Sequence, residues 1–208
     1  MQPFTTLTAV AAPLDIAKLD TGMIVPGRFQ RLPRRPGHND YAHVFLHDLR
    51  FDEQEQPRAQ FVLNQSAYQN AGILVTGPDF GCGSSRESAA YATLDFGVRA
   101  LIGASFGDVY RGNCMQNGVL TIVLPPDIVN SLMRQLQSQP GTTMTVDLPQ
   151  QTVTAPDGTQ HNFDIDATRK ERLLKGLDDV GVTLQYLPQI EAFEARYRTD
   201  MPWLKHLI

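Results

Sequence analysis

The alternation of apolar and polar positions predicts a strand–helix–strand unit in the middle of the chain. An unbroken apolar run marks a buried strand at Gly72–Thr76, and apolar residues at helical spacing follow over Glu87–Phe96. Gly97 is a suitable helix stop, and a second apolar run covers Val98–Gly103. Two strands joined by a helix in this way are expected to lie parallel, with a right-handed crossover.

The same patterns predict a mixed α/β architecture for the rest of the chain. Val119–Leu124 is a further strand, and Pro126–Gln137 is a helix opened by proline and aspartate. The dipeptide Asp157-Gly158 is the strongest hairpin signal, and it predicts a small antiparallel C-terminal patch. The strands of the patch are expected at Thr143–Leu148, Gln151–Ala155 and Gln160–Ile165. The other predicted elements are two helices and one strand: Asp166–Lys175, Leu187–Arg198 and the strand His43–Phe51.

Residues 27–40 show neither the helical nor the strand periodicity of apolar positions. This stretch contains several residues that break regular structure, namely Gly27, Pro33, Pro36 and Gly37. Four arginines concentrate positive charge in the same stretch: Arg28, Arg31, Arg34 and Arg35. We expect a mobile basic loop that carries function. A solvated surface loop with no role in a site is the open alternative.

Length and charge favour a single soluble domain over residues 1–208. Hydrophobic residues make up 42% and charged residues 19% of the chain, which is ordinary for a globular protein. The net charge of -4 gives no reason to expect nucleic-acid binding. No apolar run of membrane-spanning length and no secretory signal are evident, so we expect no membrane association and a cytoplasmic location.

The most specific motif is the glycine-rich turn of residues 79–87, Asp-Phe-Gly-Cys-Gly-Ser-Ser-Arg-Glu. It joins a strand to a helix, so backbone N–H groups and the positive end of the helix dipole point into the turn. Arg86 adds a planar fork suited to a carboxylate or phosphate. The turn therefore predicts an anion site with a serine hydroxyl in reach. The open alternative is that Ser84 and Glu87 form a capping box, with the glycines serving only backbone conformation.

The cysteines and histidines form no recognisable metal motif. Cys82 and Cys114 are the two cysteines of the chain, too few for a disulfide framework or an iron–sulfur cluster. His43 and His47 are four residues apart, but no acidic residue lies between them, so we expect structural or surface histidines. Cys82 as a nucleophile is a disfavoured alternative, because no histidine neighbours it in sequence.

Residues 79–89 resemble the G-x-G-S-S-R-E signature of the aconitase superfamily swivel domain. Residues 104–114 and 117–120 resemble the next block of the small subunit of isopropylmalate isomerases, the 3-isopropylmalate dehydratases. Shorter matches near both ends keep the same order, at 13–15, 20–21, 24–26, 176–178 and 181–185. The resemblance covers nearly the whole chain and implies an α/β fold of the swivelling β/β/α type, with a mixed sheet flanked by helices.

This resemblance implies the small subunit of a two-chain hydro-lyase that interconverts 2-isopropylmalate and 3-isopropylmalate by dehydration and rehydration in leucine biosynthesis. Ser84 is then the catalytic base, acting as an alkoxide, while Ser85 and Arg86 bind a carboxylate of the small hydroxy-dicarboxylic acid substrate. Arg31 and Arg35 of the basic loop are the other implied substrate contacts. No cofactor is expected on this chain. The resemblance assigns a [4Fe-4S] cluster, whose exposed iron acts as a Lewis acid, to a large subunit in a heterodimer or heterotetramer.

Two positions depart from the family pattern. Ser88 stands where a histidine normally follows S-S-R-E, and Gly22 stands where a second aspartate normally follows Asp20-Thr21. The serines and the arginine of the turn are retained, so the implied dehydratase chemistry is retained with them. Two alternatives stay open: a paralogue acting on a related alkylmalate such as citramalate, and a non-catalytic regulatory partner of the large subunit. The loop's apolar residues, Phe29 and Leu32, are candidates to face the alkyl group of the substrate.

Overall fold

One mixed sheet organises the part of the chain that the computed structural model describes, which is residues 1–35, 37–84, 86–201 and 203. Its strands are β1 (Thr6–Leu14), β2 (Ile73–Thr76), β3 (Ala100–Gly103), β4 (Leu120–Val123), β5 (Thr143–Asp147), β6 (Thr152–Thr154) and β7 (Gln160–Asn162). Their order across the sheet is β4-β3-β2-β1-β5-β6-β7. Strands β1 to β4 pair in parallel, whereas β5 pairs antiparallel with β1 and with β6, and β6 with β7. The predicted α/β class is confirmed, and the antiparallel patch is a continuation of the main sheet.

Helices connect the parallel strands and follow the antiparallel ones. They are α1 (Thr21–Ile24), α2 (His47–Arg50), α3 (Glu87–Asp95), α4 (Asp108–Gln116), α5 (Pro126–Ser138), α6 (Ala167–Lys175), α7 (Asp179–Leu184) and α8 (Leu187–Asp200). The predicted strand–helix–strand unit is confirmed as β2-α3-β3, with Ile73 beside Ala100 in parallel register. Within the described residues, no helix is long and apolar enough to cross a bilayer.

Two apolar cores lie on the two faces of the sheet. Along β2, Leu74 belongs to one core, while Ile73 and Val75 belong to the other, because successive strand residues point to opposite faces. The first core contains the buried alanines of α3 together with Tyr110 of α4, and the second contains Leu132 of α5. Helix α3 is therefore fixed against the sheet, and the glycine-rich turn lies between β2 and its first residue.

Residues 43–51 do not form the predicted strand. Ala42–Val44 is a 3₁₀ helix, and α2 occupies His47–Arg50. Leu46 between them has a φ of 52°, which interrupts an extended path, and its N–H donates to the carbonyl of Ile24 at 2.8 Å. Val44, Phe45 and Leu46 are all buried in the first core. A short apolar run marks burial but does not by itself distinguish a strand from a coil.

Two elements form where the sequence gives only a weak signal. Strand β1 carries a short apolar run, and it becomes a strand because β2 and β5 both pair with it. Helix α4 includes Gly112 and Asn113, which are poor helix formers. It is stabilised by packing, because Tyr110 and Cys114 are fully buried.

The basic loop packs partly against the body of the protein. Gly27–Phe29 is a 3₁₀ helix, and Phe29 and Leu32 are partly buried against the first core. The Tyr41 hydroxyl donates to the Leu32 carbonyl at 2.7 Å. Both apolar side chains are thus used in packing, which differs from the expectation that they face a substrate. Pro36 lies outside the described residues, and the expected mobility of the loop stays a prediction.

Candidate active site

Backbone hydrogen bonds hold the glycine-rich turn from two sides. On one side, the N–H of Thr21 donates to the Cys82 carbonyl at 3.1 Å. On the other side, the N–H of Gly107 donates to the Phe80 carbonyl at 3.0 Å. The first residue of α1 and the residue before α4 therefore fix the path of the turn, although they lie far from it in sequence.

Two glycines of the turn have no room for a side chain. Gly81 has a φ of +74°, and a β-carbon on it would lie 2.1 Å from Cδ1 of Tyr110. Gly83 has a φ of +85°, and a β-carbon on it would lie 1.8 Å from Oδ2 of Asp20. Both positions require glycine for backbone conformation and for close contact. The G-x-G part of the motif is explained by these contacts.

Ser84 is not the cap of α3, so the capping-box interpretation is wrong. The helix begins at Glu87, and its N-cap is Arg86, whose side chain makes no capping hydrogen bond. Ser84 is exposed, and its carbonyl accepts a hydrogen bond from Oγ1 of Thr21 at 3.1 Å. Its own hydroxyl makes no hydrogen bond to another described residue. A free hydroxyl two residues before the N-cap is available to a ligand.

Arg86 and Arg31 are cations without an acidic partner among the described residues. Arg86 is exposed at the N-cap of α3, two residues after Ser84. Arg31 is exposed in the basic loop. Ser85, the predicted second contact in the turn, lies outside the described residues. An unpaired guanidinium at the positive end of a helix favours an anion there.

Arg35, unlike Arg31 and Arg86, forms an ion pair with an acidic residue. Its guanidinium donates to both carboxylate oxygens of Asp40, and this hydrogen bonding lowers the pKa of Asp40 to about 2. It also lines an open cavity of about 810 Å³ together with Leu94 and Gly97. These residues mark the C-terminal end of α3, a nine-residue helix and so about 13 Å long. The same cavity is lined by Arg34 and Asn117, and the assignment of Arg35 as a substrate contact stays a prediction.

Arg34 is a loop residue that contacts the middle of α3. Its guanidinium carbon lies 3.7 Å from the centre of the Tyr91 ring, and it donates to Oδ1 of Asn117 at 3.1 Å. Asn117 in turn donates to Oε1 of Glu87 at 3.1 Å. The sequence does not predict this role. Neighbouring arginines look alike in sequence, and the only available signal was an aromatic residue on the exposed side of α3.

Arg28 belongs to a separate polar cluster. It donates through both terminal nitrogens to the Asp48 carboxylate, and this lowers the pKa of Asp48 to about 2. His47 is buried and lies 3.1 Å from Oδ1 of Asp48 and 2.9 Å from Oε2 of Glu55. His43 is exposed. The two histidines are thus structural and surface residues, as the sequence indicates.

Comparison with known proteins identifies the family. Residues 1–127 match the family model described as Aconitase C-terminal domain, and residues 130–167 match the LeuD_N model. Residues 179–206 match the model for the C-terminal domain of the 3-isopropylmalate dehydratase small subunit. A 3-isopropylmalate dehydratase small subunit from Rhodospirillum centenum is 47% identical over 203 residues, which is 98% of each chain. The chain belongs to the 3-isopropylmalate dehydratase small-subunit family.

Further relatives agree with this family. The corresponding small subunit from Jannaschia is 46% identical over 204 residues, covering 98% of this chain and all of the relative. A crystal structure of 3-isopropylmalate dehydratase from Methanocaldococcus jannaschii has the same fold, with a TM-score of 0.61 at 20% identity. It covers 92% of this chain and 99% of that one. The swivelling domain expected from the sequence is therefore confirmed.

Both departures from the dehydratase small-subunit pattern lie beside the turn. Gly22 donates its N–H to Oδ1 of Asp20 at 2.6 Å, and a β-carbon on it would lie 2.8 Å from the same oxygen. Ser88 is partly buried in the first turn of α3. Neither residue makes a hydrogen bond to Ser84 or Arg86. The two departures therefore leave the described contacts of the turn in place.

The described residues of this dehydratase family member do not offer a site for an iron–sulfur cluster. No group of three or more His, Cys, Asp or Glu side chains among them is arranged to hold a metal ion. Cys114 is buried beside Tyr110, and burial raises the pKa of its thiol to about 12. Cys82 is partly buried and unpaired. A [4Fe-4S] cluster takes several thiolates, and the described residues do not supply such a set of ligands.

Proposed function

We propose that this chain is the small subunit of a two-chain hydro-lyase that interconverts 2-isopropylmalate and 3-isopropylmalate in leucine biosynthesis. The observation that carries the proposal is an exposed Ser84 hydroxyl, free of capping, two residues before Arg86, whose guanidinium has no acidic partner among the described residues. The names of relatives at 43% to 47% identity support the same reaction. They do not favour citramalate or a purely regulatory role.

Ser84 serves as the base in this proposal. Dehydration removes a proton from a carbon next to a carboxylate and hydroxide from the adjacent carbon. Oγ of Ser84, as an alkoxide, takes the proton, and the electron pair of the C–H bond forms the C=C bond as the C–O bond breaks. The oxygen leaves as hydroxide with the electron pair of the C–O bond. In rehydration, hydroxide adds to the carbon that lost the proton, and Ser84 returns the proton to the carbon that lost the hydroxide. The positive end of α3 and the charge of Arg86 lower the cost of the alkoxide.

Arginines bind the two carboxylates of the substrate in this proposal. Arg86 presents a two-pronged donor at the helix end, which suits one carboxylate. Arg31, exposed in the basic loop, is the candidate for the second. Arg35 would have to leave Asp40 to take part. Ser85 is proposed to donate a hydrogen bond beside Arg86, and it lies outside the described residues.

The proposed enzyme is completed by a large partner chain that carries the cluster. The chain described here has two cysteines, fewer than the thiolates that a [4Fe-4S] cluster takes. We therefore assign the cluster to the large subunit, in a heterodimer or heterotetramer located in the cytoplasm. The part of the reaction that we assign to this chain is limited to moving the proton and binding the carboxylates.

Anaerobic reconstitution with a candidate large subunit tests the proposal. We expect the isolated chain to show neither iron–sulfur absorbance nor turnover, and the complex to interconvert the two isopropylmalates. Ser84→Ala should abolish most of this activity, while Ser138→Ala, which removes an exposed hydroxyl on α5, should not. Stoichiometric cluster absorbance in the isolated chain would contradict the assignment of the cluster. A stable complex without turnover on isopropylmalates would contradict the assigned reaction.

A further inference from the structure

We infer that Thr21 is a positioning residue for Ser84, an inference that rests on the proposed role of Ser84 as the base. Thr21 is the first residue of α1, and only 5% of it is exposed. Its hydroxyl donates to the Ser84 carbonyl at 3.1 Å, across 63 residues of sequence. Thr21 makes hydrogen bonds to the turn and none to Arg86 or Arg31, so we assign it a role that acts through Ser84.

Thr21 makes hydrogen bonds to the turn on both sides of the flexible Gly83. Its backbone N–H binds the Cys82 carbonyl at 3.1 Å, and its side-chain hydroxyl binds the Ser84 carbonyl at 3.1 Å. Gly83 lies between these two carbonyls with a φ of +85°. Glycine has the widest conformational freedom of any residue. The two bonds from one threonine therefore limit rotation at the point where the turn would otherwise be loosest.

The segment that carries Thr21 is itself fixed. Oδ1 of Asp20 accepts the N–H of Gly22 at 2.6 Å and caps α1. The Thr21 carbonyl accepts the N–H of Val25 at 3.0 Å. Oδ2 of Asp20 lies where a β-carbon of Gly83 would be. The hydroxyl of Thr21 therefore projects from a rigid support and places the Ser84 peptide in one orientation.

The chemical consequence concerns the direction of the Ser84 side chain. The hydroxyl of Ser84 is exposed and has no partner among the described residues, so the backbone sets the position of the β-carbon from which Oγ extends, and no side-chain contact compensates if the backbone moves. A displacement of about 1 Å at a reacting group can cost about 10²-fold in rate. Loss of the Thr21 hydroxyl should therefore lower kcat about 10- to 100-fold and change KM much less.

A matched set of variants tests this inference in the reconstituted two-chain enzyme. Thr21→Val removes the hydroxyl with little change in shape, and Thr21→Ser retains it. Thr121→Val is the control, because Thr121 is 3% exposed and its hydroxyl has no hydrogen-bond partner. We expect the kcat of Thr21→Val to fall about 10- to 100-fold. Thr21→Ser and Thr121→Val should stay near the wild-type value.

A double-mutant cycle separates positioning from general damage. If Thr21 acts through Ser84, adding Thr21→Val to Ser84→Ala should cause little further loss. An equal loss in both backgrounds, or wild-type kcat for Thr21→Val, would overturn the inference. If Thr21→Val does not assemble, Thr21→Ala takes its place, and failure of both to assemble while Thr121→Val assembles would also overturn it. A Ser84→Ala enzyme with normal turnover would instead refute the proposed function.

Discussion

Ser105 holds Asp79 through two reciprocal hydrogen bonds at the start of the turn. Its hydroxyl accepts the N–H of Asp79 at 2.8 Å and donates to Oδ1 of Asp79 at 2.7 Å. Asp79 has a φ of 57°, in the left-handed region that non-glycine residues seldom occupy. A serine in the segment after β3 therefore stabilises a strained residue in the segment after β2.

Ser105→Ala should lower the free energy of unfolding by about 1–3 kcal/mol, because it leaves a partly buried N–H without its acceptor. Denaturant titration of the isolated chain measures this change. Ser138→Ala is the control, since that serine is exposed on α5 and donates only to the carbonyl of Gln135. Equal stability of the two variants would show that Ser105 does not support the turn.

Gly83→Ala should destabilise the chain by about 1–3 kcal/mol through backbone strain alone, and the reconstituted enzyme should lose most of its activity. The added β-carbon would meet Oδ2 of Asp20 at 1.8 Å. Gly112→Ala is the matched control, because no atom lies within 4 Å of its β-carbon position in α4. That control should be neutral or stabilising, by about 0.5–1 kcal/mol. A tolerated Gly83→Ala would contradict the close contact with Asp20.

Ser84→Ala should reduce kcat by about 10²–10⁴-fold, the usual effect of losing an acid–base group, with a smaller change in KM. Because Ser84 is not the helix cap, the stability of the isolated chain should stay within about 0.5 kcal/mol of wild type. Steady-state kinetics of the complex and thermal unfolding of the chain measure the two effects. Near-normal kcat with reduced stability would restore the capping interpretation.

Arg86→Lys should weaken substrate binding as well as turnover. Lysine retains the charge but loses the two-pronged geometry that fits a carboxylate. Arg58→Lys is a suitable control, because that arginine donates to the Phe51 carbonyl in a different part of the molecule. If KM and kcat of the Arg86→Lys enzyme both match the wild type, Arg86 does not bind a carboxylate in two-pronged fashion.

Arg34→Ala should loosen the basic loop. It removes the stacking on Tyr91 and the hydrogen bond to Asn117, so backbone hydrogen exchange over residues 27–37 should be about 5–30-fold faster, as expected for a loss of one or two kcal/mol. Arg31→Ala removes no hydrogen bond or ion pair with a described residue and should leave exchange unchanged. In the full complex with a substrate analogue, exchange of the wild-type loop should slow. Unchanged fast exchange there would exclude the loop from the site.

The sequence predicts those parts of the structure whose causes are local. The turn and α3 follow from glycines and from apolar periodicity within about 25 residues, and their boundaries agree with the structure to within one or two residues. The hydrogen bond between Thr21 and Ser84 spans 63 residues, and no local pattern indicates it. The incorrect prediction of a strand at 43–51 has the same origin. The local sequence indicates that Leu46 is buried, whereas its left-handed backbone conformation depends on a hydrogen bond to the distant Ile24.

The sequence of the basic loop does not determine how its arginines are arranged. The family resemblance implies Arg31 and Arg35 as substrate contacts, and this stays a prediction. The structure shows that Arg34 contacts Tyr91 in the middle of α3, whereas Arg35 pairs with Asp40. Adjacent loop residues have no fixed period, so their directions depend on tertiary partners.

The central position of β1 constrains the order in which the chain can fold during synthesis. Its residues leave the ribosome first, yet Thr6 pairs with Asp147 in β5 and Ala11 pairs with Ile73 in β2. At translation rates of about 5–20 residues per second, β1 waits roughly ten seconds for its last partner. A fragment that ends at residue 127, where the first family match ends, would leave Thr6–Val10 of β1 without their partner strand β5. Such an unpaired edge favours aggregation. We therefore expect that the parallel and the antiparallel half of the sheet cannot be expressed as separate folded fragments.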